Sequence, residues 1–364
     1  MRKKELVVVA MSGGVDSSVA AALLKSEGYE VIGITMCFNL SDSGRKRPAC
    51  CSRQGIEDAR RVAQRLAIRH YVLNMRKALD EYVIKDFCRE YLRGKTPNPC
   101  IGCNQYIKFG LLLKKAFSLG AGFLATGHYA RVVNGPQCPT VHKKIYSLKK
   151  AKDTNKDQSY FLYRLNQAQL GHILFPLGDY TKGEVRKLAV KFGLAVADKP
   201  GSQEICFLPG QDYREFLVSR AKDKIRPGPI VDRQGNLLGR HKGIAFYTVG
   251  QREGLGIARG YPLYITGIES RKNQLVVGTK EEAEKSEFLV NKAHFISKKP
   301  KKKVAVKVKI RYNHKEMPAS VWPFGRKWKV RFRKPQFAIT PGQSAVFYDR
   351  EMVLGGGIID KALA

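Results

Sequence analysis

Acid is what this sequence is short of. Its 364 residues hold 31 Asp and Glu against 66 Lys and Arg, a formal net charge of +35 with a pI near 10. A surplus of this size favours a polyanionic partner, nucleic acid first. A lysine-rich genome would raise the charge as well, and both contributions are expected. Long apolar runs are missing too. None approaches the roughly 20 residues that cross a bilayer, so no membrane partner is expected. Met1-Arg2-Lys3-Lys4-Glu5 leads straight into an apolar run, which leaves no room for a signal or transit peptide and makes the expected location cytoplasmic. No internal repeat is evident. With 43% hydrophobic residues the chain is ordinary for a globular protein and long enough for two or three domains.

What is present begins at Leu6. Leu6-Val7-Val8-Val9-Ala10-Met11 reads as a fully buried strand. It runs into Ser12-Gly13-Gly14-Val15-Asp16-Ser17-Ser18, and Val19 to Lys25 has helical composition without a breaker. Gly13 and Gly14 permit positive φ values and close backbone approach. The free N–H groups of the first helical turn, beside the hydroxyls of Ser12, Ser17 and Ser18, suit an anion. A Walker A loop needs GxxxxGKS/T, and neither its Lys nor its spacing is here, which argues against a kinase-type or GTPase-type site. SGGVDSS instead resembles the PP-loop of ATP pyrophosphatases, which break the α–β bond of ATP and transfer AMP to a substrate oxygen. Asp16 fits that chemistry, because a carboxylate beside pyrophosphate helps hold Mg²⁺. A serine-rich turn that binds nothing is the bland alternative.

Strands are expected at 31–36, 70–73 and 123–126, alternating with helices at 56–66 (capped by Ser52), 77–92 and 107–118. Gly94 to Asn104 breaks the pattern as a proline-bounded loop. Alternation of this kind implies a doubly wound parallel sheet, with ligands beyond the carboxyl ends of its strands, where SGGVDSS, Met36 and Gly127-His128 all fall. Thr181 is expected to cap a helix over 182–192. From about Asp223 the texture changes to short segments at 243–249, 263–269 and 274–277, split by Pro and Gly. Over 303–312 strict alternation puts Val304, Val306, Val308 and Ile310 on one face and Lys307, Lys309 and Arg311 on the other, a half-buried strand with a basic outer face. The fold class is therefore α/β, a catalytic domain over 1–215 followed by two small barrel-like β domains over 216–288 and 289–364, suited to docking nucleic acid.

Eight cysteines without a secretion signal point to metal, redox or nucleophilic roles rather than structural disulfides. Cys88 reads as a packed core thiol, and Cys37, Cys50, Cys51 and Cys138 as incidental. Cys100 and Cys103 form C-x-x-C, with Cys206 far away. A structural zinc site would want a second pair or matching histidines. A thioredoxin-like motif is disfavoured because Cys100 follows Pro99 in a loop. Sulfur chemistry, or three ligands of an iron–sulfur cluster with one iron open, both remain.

Taken together, SGGVDSS, TPNPCIGCNQYIKFG, ATGHYARV, NKDQSYFLY, ICF, YTVGQREGLGI, TPGQSAVFY and GGGII resemble the tRNA-specific 2-thiouridylase family along essentially the whole chain. The resemblance implies a sulfurtransferase that acts on the wobble uridine of tRNA. It implies ATP held by Ala10, Met11, Ser12, Gly13, Gly14, Val15, Asp16, Ser17, Met36 and Gly127, with Mg²⁺. It places Asn98, Pro99 and Cys100 at the target base, and gives tRNA contacts to His128, Lys156, Asp157, Gln158, Arg311, Tyr312 and Gln343. Cys206 matches the persulfide carrier, loaded by a sulfur donor protein (a persulfide carrier or a cysteine desulfurase), and Cys103 the second cysteine. Many members carry Asp where this sequence has Cys100. That departure raises a rival in which Cys100, Cys103 and Cys206 hold a 4Fe-4S cluster. From the residues alone, 156–158 reads as a solvated loop and His128 as structural.

Overall fold

Val7, Val8 and Val9 are completely buried, as a strand covered on both faces must be. In the computed structural model, which describes residues 5–38, 53–134, 144–199, 205–208, 210 and 212–363, this strand is the centre of the first body. In chain order that body contains β1 (Leu6–Ala10), β2 (Glu30–Cys37), β3 (Arg69–Asn74), β4 (Phe123–Thr126), an antiparallel hairpin of β5 (Ala130–Asn134) and β6 (Tyr146–Lys150), and the short β7 (Ile173–Leu174). Sheet order is β3-β2-β1-β4-β7, parallel throughout. The expected doubly wound class is therefore observed. Helix α1 (Val15–Ser26) follows β1, and α2 (Arg53–Arg65) precedes β3. Against the sheet α1 buries Val15, Val19, Ala20, Ala21, Ala22, Leu23 and Leu24, and small alanines let helix and sheet approach closely. Ser52, expected as a cap, lies outside the described residues.

Contact density divides the chain into Met1–Val83, Cys100–Gln211 and Glu351–Val353 on one side, and Ile84–Pro99, Asp212–Arg350 and Leu354–Ala364 on the other. The second body holds a four-stranded sheet of β8 (Gly228–Val231), β9 (Leu237–His241), β10 (Tyr264–Glu269) and β11 (Gln274–Gly278), around a core that includes Ile230, Ile265, Leu275 and Val277. It also holds a six-stranded barrel, β12 (Glu284–Phe295), β13 (Val304–Lys309), β14 (Met317–Phe324), β15 (Lys327–Phe337), β16 (Ser344–Asp349) and β17 (Met352–Ala362). Pairing of β12 with both β15 and β17 closes it. Val306, Val308 and Ile310 point into its core while Lys307 is exposed, as the alternation requires.

Three local expectations are corrected. Residues 94–104 do not form one continuous loop: from Pro99 to Ser118 the chain is helical, with a π-helical stretch over Cys103–Leu112. Pro99 is at the first helical position, where its missing N–H costs nothing, so proline starts this helix instead of breaking it. Cys100 and Cys103 therefore ride on a helix. Residues 243–249 contain a 3₁₀ turn (Ile244–Phe246) rather than a strand, because Gly243 at φ 148° turns the chain. Finally, β13 stops at Lys309, so Arg311 and Tyr312 lie in the turn beyond it.

Candidate active site

In the parallel sheet, β1 connects to β2 on one side and lies beside β4 on the other. The carboxyl ends of β1 and β4 thus flank a topological switch point, where such sheets hold ligands. The loop after β1 and the Gly127 turn after β4 meet there. A Cβ on Gly127 would lie 2.7 Å from the Ser17 nitrogen and 2.8 Å from the Asp16 carbonyl carbon. Gly13 has φ +75°, and a Cβ there would meet the Gly55 carbonyl oxygen. Gly14, extended at φ −96°, is the N-cap of α1. Its carbonyl accepts from the Ser18 hydroxyl at 2.9 Å and the Ser17 hydroxyl at 3.2 Å, while the Ser12 N–H donates to Ser17 Oγ at 3.1 Å. The hydroxyls thus set the loop's shape. Registers Ala10 with Ile34 and Ala10 with Thr126 put Ala10, Met36 and Gly127 at one sheet edge.

Charge in this cleft is arranged by residues that motif matching misses. Asp16 Oδ1 accepts from the Tyr129 hydroxyl at 2.7 Å and from Lys182 Nζ at 2.6 Å. Burial, and then the Asp16 charge, push the Tyr129 phenol far above its usual range, so it stays a donor. Lys199 is paired with Asp58, which Gln54 also holds at 3.0 Å. The signal for Lys182 was in the sequence. Thr181-x-x-Glu184 is a capping box, and a lysine in the first turn opposes the helix dipole.

The loop preceding Cys100 is pinned within the second body. Thr96 N–H donates to the Pro341 carbonyl at 2.9 Å, its hydroxyl lies 3.0 Å from that of Thr248, and Lys95 pairs with Asp360 at 3.4 Å. Gln343 Nε2 donates to the Thr96 carbonyl at 2.9 Å, so this side chain helps hold the loop that precedes Cys100.

Three family models cover the chain in succession. One described as a tRNA methyl transferase HUP domain matches residues 5–210, a PRC-barrel domain of the same name 214–279, and an aminomethyltransferase β-barrel domain 285–359. The chain is 50% identical to the tRNA-specific 2-thiouridylase MnmA 1 of Caldanaerobacter subterraneus, over 99% of each chain. It is also 50% identical to the MnmA enzymes of Halothermothrix orenii (98% of this chain, 99% of that one) and Carboxydothermus hydrogenoformans (100% and 99%). This chain belongs to the tRNA-specific 2-thiouridylase family.

As a 2-thiouridylase family member it is a PP-loop enzyme of the tRNA sulfurtransferase type. Its expected tRNA-contacting residues are in varied settings. Lys156 is exposed. Asp157, expected in a solvated loop, is instead buried: its carboxylate accepts from the N–H groups of Ala151 and Ser159 and from the Ser159 hydroxyl at 2.8 Å. Gln158 exchanges hydrogen bonds with the Tyr129 main chain at 2.8 and 3.1 Å, and so orders the segment that carries His128. The His128 ring packs near Phe109 and Phe175, with Nδ1 2.7 Å from Thr126 Oγ1. Arg311 reaches the carbonyls of Phe337 and Ala338 at 3.4 and 3.3 Å.

Cys103 is buried, while Cys100 and Cys206 are partly exposed, Cys206 in a turn closed by the Leu208 N–H to Ile205 carbonyl bond. Among the described residues no three His, Cys, Asp or Glu side chains come together as a metal-binding group. Nor is any described helix long and apolar enough to cross a membrane.

The charge surplus is concentrated. From Lys298 to Lys334 fifteen Lys and Arg face one acid, Glu316. On the outer wall of β13, β14 and β15, Lys303 lies 4.9 Å from the centroid of Trp322, and Lys329 lies 5.9 Å from Trp322 and 5.8 Å from Phe324. Glu287 accepts from Lys329 at 2.6 Å and from Arg331. The aromatic faces attract these cations and hold them along the wall.

Four histidines are held below their ordinary pKa: His70, His128, His241 and His314, each chiefly by burial, with His314 down to about 4. His241 is buried and also bonded in a way that suits the neutral ring. Its Nδ1 accepts from the Gly243 N–H at 3.0 Å and its Nε2 faces the Asn273 carbonyl at 2.9 Å, an arrangement only the neutral ring satisfies. A folded pKa below the unfolded value means that the unfolded chain takes up the proton first as pH falls. Stability is therefore full above about 6.5 and declines below it. The melting temperature is expected to drop steadily from pH 7 to pH 5; a flat profile over that range contradicts the assignment.

Proposed function

We propose that this chain thiolates the wobble uridine of tRNA at position 2 in two stages. The observation that carries the proposal is the switch point, at which a PP-loop backbone, Asp16 and Gly127 meet in a family member that matches a relative over 99% of that relative's length. In the first stage ATP, held by Ala10 to Ser17 with Met36 and Gly127 and with Mg²⁺ near Asp16, is attacked at its α-phosphorus by uridine O2, and pyrophosphate leaves. Carbonyl oxygen alone does not depart; as an adenylate it does. In the second stage the terminal sulfur of a Cys206 persulfide, supplied by a donor protein, bonds to C2, and AMP leaves with O2. The Cys103 thiolate then attacks the Cys206 sulfur. The S–S bond to the base sulfur breaks, 2-thiouridine is released, and a Cys103–Cys206 disulfide remains for a thiol reductant. Asn98 offers a donor and an acceptor to the base edge, with Pro99 and Cys100 beside it. The cluster rival rests on Cys100, which stands where many family members carry Asp.

The deciding experiment is 2-thiouridine formation by metal-free protein under anaerobic conditions, given unmodified tRNA, ATP, Mg²⁺ and a persulfide-loaded donor. Robust product supports the relay; product only after iron–sulfur reconstitution replaces it with the cluster. Asp16→Ala is expected to lose tRNA-dependent pyrophosphate release.

The two β domains serve tRNA docking, and the basic outer wall of the barrel contacts phosphates. Neutralised phosphates release counterions, so affinity falls steeply with salt. A Lys303→Ala, Lys329→Ala, Lys307→Ala triple variant is expected to flatten the log–log salt dependence by about two to three units. An unchanged slope takes the wall out of the interface.

A further inference from the structure

Lys182 sits where a helix disfavours it. It opens the helix Lys182–Lys191 behind the N-cap Thr181, and a cation there faces the positive end of the helix dipole. Its side chain is nonetheless only 16% exposed, and its ammonium is 2.6 Å from Asp16 Oδ1 in the PP-loop. That same oxygen already accepts from the Tyr129 hydroxyl. Lys182's own N–H is tied to Asp153 at 2.9 Å, and Glu184 completes the cap through Thr181. The main chain is thus fixed while the charge rides on a flexible four-carbon stem.

We propose that Lys182 is a pyrophosphate-binding residue of the ATP site. It rests on Asp16 and passes to the β- and γ-phosphate oxygens when the nucleotide's Mg²⁺ takes the Asp16 carboxylate. The ammonium and Mg²⁺ compete for one carboxylate, and the divalent ion holds oxygen more strongly. A multiply charged phosphate chain a few ångströms away is then the better partner for the displaced lysine. As the bond to the α-phosphorus breaks, negative charge grows on the departing pyrophosphate, and a preplaced ammonium stabilises it there. Lys199 also reaches the loop, with Nζ 3.5 Å from the Gly13 carbonyl, but its ion-pair partner is Asp58 of α2 rather than the loop carboxylate.

This inference rests on the PP-loop reading above, and the test separates the two. Wild-type chain, Lys182→Gln and Lys182→Arg are titrated calorimetrically with ATP, AMP and inorganic pyrophosphate, each with Mg²⁺. Lys182→Gln is expected to weaken ATP and pyrophosphate binding about tenfold or more while leaving AMP within about twofold, the loss of one charge-assisted contact. Lys182→Arg recovers most of that loss. A lysine that merely props Asp16 would act only through that carboxylate, so Lys182→Gln would add nothing in an Asp16→Asn background, whereas a direct phosphate contact weakens ATP and pyrophosphate binding there as well. Equal losses, or none, overturn the proposal. Where the glutamine variant is unstable, Lys182→Met keeps the stem over Tyr129 without the charge and gives the same comparison. Wild-type chain that binds AMP as tightly as ATP would sink the PP-loop reading itself, and this inference with it.

Discussion

Cys206→Ser is expected to lower 2-thiouridine formation about a thousandfold or more, in line with removing a nucleophile, while the first turnover of tRNA-dependent pyrophosphate release proceeds at near the wild-type rate. The two readouts separate because the two proposed stages use different groups. Activation of O2 draws on the PP-loop cleft, where Asp16, Ser17 and Gly127 converge. Sulfur delivery draws on a thiolate that a serine hydroxyl cannot replace, since the hydroxyl is far more basic and carries no persulfide. Cys103→Ser is expected to stop turnover at a later point. Sulfur reaches the base, and tRNA stays joined to Cys206 through the unbroken S–S bond, visible as a protein–tRNA adduct that a thiol reductant releases. Liquid chromatography of nucleosides beside a pyrophosphate assay decides it. Loss of both activities in Cys206→Ser would contradict the division of labour.

The parts legible in advance were those with local physical signatures. A run of valines, a glycine turn and an alanine-rich helix announce a buried strand and an anion loop, and β1 and α1 appear there. Val306, Val308 and Ile310 announced one wall of the barrel by alternation, with Val304 partly buried at its edge. What stayed hidden depends on distant partners. Asp157 reads as a loop residue because the N–H groups that make its burial tolerable, on Ala151 and Ser159, are not a sequence pattern. Gln343 carries no local signature of its bond to the Thr96 carbonyl, 247 residues away in the chain. Of the helix over 99–118, the part beyond Ile107 was expected and the first turns were masked by two prolines and a glycine. Proline position relative to the helix start, not proline content, decides its effect. Lys182 matters only because its helix and α1 pack together, bringing residues 166 apart to 2.6 Å.

Gly127→Ala is expected to reduce kcat/KM for tRNA-dependent pyrophosphate release about a hundredfold, the size of loss that follows a misplacement of about 1 Å at a reacting centre. The added methyl would sit 2.7 Å from Ser17 N, 2.8 Å from the Asp16 carbonyl carbon and 3.1 Å from Asp16 Cβ, and two of these three atoms are main chain. They cannot swing away as a side-chain tip would. Thr126, the residue before, is locked to Ala10 by the parallel pairing of β4 with β1, so the turn has no freedom to retreat. The strain must therefore fall on the first turn of α1, which carries Asp16 and the serines that shape the loop. Affinity for tRNA should change little, because the basic wall of the barrel belongs to the other body. Gly260→Ala is the matched control: nothing lies within 4 Å of the Cβ it would add, so rate and affinity should both match wild type. A Gly127→Ala enzyme within about threefold of wild type would show that the strand–helix contact at the switch point does not position the ATP site.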